Sequence, residues 1–285
     1  MAKNKSRKPT FSAKAFGDCE NKGIFALTLI SWTDTINNST NNNNLNFSTF
    51  MWLCNSSIGR KVIMSVSGLA LILFLTFHGC MNVVALFSEE AYNQICELLG
   101  SNWYAIVATC ALAGLMAIHI LYAFILTMQN KKARGNNKYA ITEKPKMVEW
   151  ASQNMLVLGI IVVLGLLLHL KDFWYNMMWA EIIGAEGPLS PTDGFGWIKL
   201  TFSNPVFLVL YLIWIVAIWF HLTHGFWSAL QTLGWSGHTW FCRWKYIGYI
   251  WSTVVMALFA IVAIAFAVCP DCLGGCDGKV IPFMM

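Results

Sequence analysis

Five stretches of the chain run apolar with no Asp, Glu, Lys or Arg among them: Val62 to Phe87, Trp103 to Met128, Trp150 to Leu170, Pro205 to Ser228 and Ile247 to Val268. Crossing a hydrocarbon core ~30 Å thick takes roughly 20 helical residues, and each stretch is long enough. The pattern predicts an all-α membrane protein, a five-transmembrane-helix bundle with short connections except the third. That connection carries the turn signals "EGPLSPTDGFGW" and several aromatics, and is long enough to cap one face of the bundle. Residues 1–50 read differently, with an Asn-rich tract, "NNSTNNNNLNF", and a short apolar run, "GIFALTLISW", too brief to span and followed by no small-residue cleavage pattern. They are expected to be a disordered, dispensable extension upstream of a second methionine, Met51. Residues 51–268 then form the membrane domain and 269–285 a short tail.

Composition agrees with a membrane protein: of 285 residues 57% are hydrophobic and 12% charged, a balance foreign to soluble domains of this length. The charges outside the five stretches set the expected orientation. The segment before the first span holds 8 basic and 3 acidic residues, the second connection 6 and 2, and the fourth 2 and 0. The first connection holds 0 and 3, the third 2 and 4, and the tail 1 and 2. Lys and Arg stay on the cytoplasmic side, which predicts the N-terminus inside and the C-terminus outside. The net charge of +5 is then mostly topology and leaves no nucleic-acid footprint.

Nine cysteines are scattered and none forms the Cys-x-x-Cys-His run that attaches haem covalently. Cys269, Cys272 and Cys276 cluster in "CPDCLGGC" and are compatible with a metal or with one disulfide; no function is built on them.

Histidine carries the candidate chemistry. His78, His119 and His221 each stand 16 residues into their spans, and His169 stands 19 into its own. Successive helices run in opposite directions, so His78 and His169 share the outer half while His119 and His221 share the inner half. Electron-transfer haem needs two strong axial ligands, which neutral imidazoles supply from facing helices. Small residues would let a flat macrocycle approach, and Gly165 lies four before His169 as Gly225 lies four after His221. A proton relay of a transporter is the competing reading, and the absence of carboxylates from the spans counts against it. His224, three residues after His221, is open as an alternative ligand or as a contact for a haem propionate or a quinone. His238 is read as solvated.

"SSIGRKVIMSVSGLALILFLTFHGCMN", "AIHILYA" and "FHLTHGFWSALQTLGW" resemble the dihaem cytochrome b membrane anchor of succinate:quinone oxidoreductases and quinol:fumarate reductases, in its single-subunit, five-helix form. The likeness covers Met51 to about Val268. It implies His78, His119, His169 and His221 as axial ligands of two haems b, the outer haem on the first and third helices and the inner on the second and fourth. The family's fourth-helix ligand lies four residues before a glycine that is followed by a bulky residue and an aromatic. Here that is His221 before Gly225, Phe226 and Trp227, which decides against His224 as ligand. Some members carry a glutamate two residues before that ligand, linked to proton movement; this chain has Trp219.

The resemblance further implies flavoprotein and iron-sulfur subunits docked on the cytoplasmic face of a bacterial inner membrane, with quinone, menaquinone by likeness to dihaem members, as the substrate in lipid. Dicarboxylate chemistry would belong to those subunits, since the chain has neither a flavin-binding glycine fingerprint nor a four-cysteine cluster motif. Glu89, Glu90 and Glu97 are the outer candidates for a quinone site, with Ser57, Arg60 and His224 the inner alternative. Other cytochrome b anchors, of a hydrogenase or a formate dehydrogenase, are the nearest rivals.

Overall fold

A computed structural model describes residues 56–100, 102–134 and 150–273; the 1–50 extension and Cys276 lie outside them. Among the described residues the chain is helical with no strand. Helix α1 spans Ser57–Val83 and is started by Ser56, whose hydroxyl accepts from Gly59 N at 2.8 Å, the capping bond that satisfies an otherwise orphaned donor. The amphipathic α2 spans Glu89–Leu98, capped by Ser88 with Glu89 and Glu90 in its first turn, where carboxylates meet the positive end of the helix dipole. Helix α3 spans Trp103–Arg134.

Helix α4 starts at Met155 and is α-helical to His169, then widens into a π-helical stretch, Leu170–Trp179, before a last turn Ala180–Ile183. Gly184 ends it at φ 65°, the left-handed C-cap conformation that favours glycine. Helix α5 spans Gly194–Phe202, α6 Pro205–Thr232 with Pro205 in its first turn and Asn204 capping, and α7 His238–Val268.

Five helical segments are long and apolar enough to cross a membrane: Ser57–Leu86, Trp103–Ala133, Met155–Ile183, Pro205–Thr232 and His238–Val268. The chain is a five-helix, multi-pass membrane protein. Several expected boundaries require correction. The fifth helix begins nine residues before Ile247, and the short first connection holds α2. The third span does not stop at Leu170; it continues through Lys171, Asp172 and Glu181, so the third connection is shorter than 171–204 and is half filled by α5. A charged residue marks the end of an apolar run, whereas a helix ends where its backbone hydrogen bonds end.

Helix α6 is central and packs closely against α1, α4 and α7; α1 packs against α3, α6 and α7. Helix α3 is peripheral, with none of its most apolar stretch buried. Neither α1 with α4 nor α3 with α6 is among the closely packed pairs, yet these pairs carry the histidines expected to face each other. At one end α2 and α5 lock together: Asn93 donates to Asp193 Oδ1 at 3.0 Å and accepts from Phe195 N at 2.9 Å. Beneath them Phe195, Ile198 and Phe202 pack with Tyr211 and Phe266, closing that end of the bundle.

Candidate functional site

Helix geometry and packing bring four histidines into two pairs. His78 of α1 and His169 of α4 have ring centroids 5.9 Å apart at an interplanar angle of 78°. His119 of α3 and His221 of α6 have centroids 6.4 Å apart at 68°. These are the partners that alternating helix direction and matched depth predict. With metal–imidazole nitrogen distances of about 2.0–2.1 Å, two imidazoles on opposite sides of one metal ion would place their centroids roughly 6 Å apart. Both pairs thus have the separation that axial ligation requires.

The two surroundings differ. The His78 ring stacks on Phe74, one turn earlier, at 5.4 Å and meets Phe259 at 5.6 Å. His169 is ringed by Phe173, Trp214 and Tyr211 at 5.1, 5.6 and 6.3 Å, and its buried Nδ1 has no hydrogen-bond partner. Asn82 returns its amide to the His78 carbonyl at 2.8 Å, lies 3.5 Å from His78 Nε2 and is held by the Tyr92 hydroxyl at 3.1 Å. Helix α2 therefore reaches the His78 ring through Tyr92 and Asn82.

At the other pair, Ser67 Oγ lies 3.0 Å from His119 Nδ1 and donates its single proton to the Met64 carbonyl, also at 3.0 Å. A hydroxyl that has spent its proton can only accept from the imidazole. That arrangement would put the proton on His119 Nδ1 and leave Nε2 its lone pair, the tautomer a metal ligand needs. His221 Nδ1 is buried without a partner.

A two-histidine pair is a poor site for a bare ion, and among the described residues no three His, Cys, Asp or Glu side chains gather to hold one. It suits a metal whose remaining positions come from a macrocycle. The open side of the inner candidate fits this: a Cβ on Gly225 would meet nothing within 4 Å. Gly165 does not play the expected part. A Cβ there would fall inside the Trp214 indole, whose Nε1 donates to the Val162 carbonyl at 2.9 Å. The small residue makes room for tryptophan, not for a flat cofactor.

His224 lies one turn beyond His221 and packs edge-on against Trp227 at 4.9 Å, in an aromatic group with Phe241. His238 is the first residue of α7 and exposed. Glu89, Glu90 and Glu97 are exposed, Glu90 accepting from Gln94 at 3.3 Å, while Tyr92 on the same helix is buried. Ser57 is exposed in the first turn of α1 and Arg60 follows it one turn later. Beyond His169 the π-helical segment opens a cavity of about 140 Å³ lined by Tyr175, Asn176, Trp179, Glu186 and Trp197, among others. Cys269 and Cys272 form a disulfide.

Sequence reasoning missed Asp172, Tyr211 and Ser67. Asp172 carried a legible signal, since a residue three after His169 on a continuing helix shares its face; it was hidden by ending the helix at the first charge. No model of a known protein family, no curated protein and no solved structure matches the chain.

Proposed function

We propose that the chain is the dihaem cytochrome b anchor of a succinate:quinone oxidoreductase or quinol:fumarate reductase, seated in a bacterial cytoplasmic membrane with its N-terminus inside. The observation that supports it most is the double crosswise pairing, His78 with His169 and His119 with His221, between helices that do not pack closely on one another. Haem iron between two imidazoles changes redox state without changing its coordination, the electron-transfer chemistry that bound haem supplies. The chain's own residues hold and orient it. Ser67 contacts the His119 ring, Trp214 and Phe259 wall the other pair, and the α2–α5 lock covers that end.

Two sites in opposite halves of a core ~30 Å thick would link a quinone, menaquinone by family likeness, to an iron-sulfur subunit on the cytoplasmic face, itself joined to a flavoprotein. The outer quinone candidates are Glu89, Glu90 and Glu97, together with the aromatic cavity at Tyr175 and Trp179. The transporter reading gains one observation, because Asp172 puts a buried carboxylate on a spanning helix. That carboxylate serves one end only, and the polar neighbour of the His119 ring is a neutral serine.

A reduced-minus-oxidised visible spectrum of the purified protein tests the proposal. Two bis-histidine haems are expected, and a protein with no haem bands would sink it. Alanine in place of His78 or His169 should abolish one and the same centre, and alanine in place of His119 or His221 the other. Loss of a common centre in the His78 and His119 variants would overturn the pairing.

A further inference from the structure

Among the described residues Asp172 is the one charged side chain in the buried class, 7% exposed. It lies three residues after His169, in the π-helical stretch of α4, a kind of helical irregularity that recurs at functional sites. Tyr211 OH donates to Oδ2 at 3.2 Å and Lys171 Nζ to Oδ1 at 3.1 Å. The Tyr211 ring in turn meets the His169 ring edge-on, 6.3 Å between centroids. Ionisable groups within a membrane are costly and kept for function, and ligation by imidazole does not require this one.

We infer that the Asp172 carboxylate, fixed by Tyr211, is a positioning residue that sets the electron affinity of the redox centre held by His78 and His169. This rests on the dihaem reading. A fixed negative charge favours the oxidised, more positive form of a nearby metal, and net charge close to a haem is one of the protein's levers on its potential. Within about 10 Å at an effective dielectric near 20, one unit charge changes such an equilibrium by more than tenfold. Lys171 Nζ offsets part of this charge, and while its ammonium keeps its proton, removing the carboxylate moves the centre toward easier reduction. The polar contact of the His119 ring is the uncharged Ser67, which makes that pair an internal control.

Redox titration of the purified, haem-loaded protein tests the inference. Asp172→Asn should shift the step that vanishes in His169→Ala toward easier reduction, by about tenfold in the reduced-to-oxidised ratio, or 59 mV for one electron, with the other step unmoved. Asp172→Glu, keeping the charge, should restore the wild-type value. Tyr211→Phe, which keeps the ring packing but removes the donor to the carboxylate, should shift that same step alone and by less, and carries the test alone if the Asn variant does not fold. An unmoved step in variants with full haem content, or a shift confined to the His119–His221 step, overturns the inference and leaves the dihaem reading standing. Purified protein without haem bands overturns both.

Discussion

Single side chains decide how well each histidine is prepared. Ser67→Ala removes the hydroxyl that contacts His119 Nδ1; loss of an outer-shell partner of a metal-binding histidine weakens retention by about 10–100-fold. Haem retained after dilution should fall for that centre only, and equal losses at both would show that Ser67 acts on folding rather than on the ligand. The two glycines should separate in the same way. Gly165→Ala drives a methyl into Trp214 and should cost about 1–3 kcal/mol by overpacking, visible as a lower melting temperature. Gly225→Ala meets open space and should leave the apoprotein as stable or stabler, since alanine suits a helix interior better by about 1 kcal/mol, while lowering haem content if the macrocycle lies against it. Cys96, beside Tyr92 on α2, has its thiol pushed up by burial from 9.0 to about 11. A raised pKa means that the folded protein favours the protonated form. The stability this contributes is complete below about pH 9 and is lost as pH climbs through about 11. Burial raises the Tyr92 phenol too, in the same sense. Alkylation of Cys96 in the native protein should therefore be slow at pH 8 and accelerate only toward pH 11, and rapid labelling at pH 8 would contradict the burial.

At the level of elements, the lock between α2 and α5 is the feature whose removal is most readable. Asn93 makes two hydrogen bonds across it, one to Asp193 and one from Phe195 N, and both partners come from a segment 100 residues later. Asn93→Ala strands a backbone donor beside a partly buried carboxylate, at about 1–3 kcal/mol. Hydrogen exchange at Phe195 and in α2 should rise while the spanning parts of α6 and α7 stay protected. Uniform loss of protection would mean that the lock holds the whole bundle. The π-helical stretch of α4 belongs to the same end. Asn176 turns its amide back to the Asp172 and Lys171 carbonyls at 2.9 and 3.2 Å, satisfying backbone groups that the wider turn frees.

For the whole molecule, the bundle organises itself around α6, which touches α1, α4 and α7, and leaves α3 joined mainly to α1. A peripheral helix presenting a histidine to α6 across a separation is the arrangement expected when a flat group mediates the contact. On the proposed dihaem reading, removing haem should loosen α3 first: protease sensitivity and exchange should rise in Trp103–Arg134 ahead of α6 and α7, and equal loosening of all helices would argue that protein contacts alone hold α3. The expected orientation has its own test, in which a reporter fused after the last residue is active only on the outer side; activity inside would reverse the assignment of the ends.

The number of spans and which histidines stand opposite one another were legible in the sequence because both follow from position along the chain. Twenty apolar residues suffice to cross lipid, and position along a helix converts to height at 1.5 Å per residue. The same arithmetic put His78 level with His169 and His119 level with His221. Which side chains stand around those rings was not legible, since that depends on how the helices are rotated and on how far apart they pack. Only the tertiary structure placed Trp214 in the space left by Gly165, Ser67 beneath His119, and Tyr211 between Asp172 and His169. Only it carried α4 past Leu170, because a helix ends where its backbone hydrogen bonds end and not where hydropathy falls.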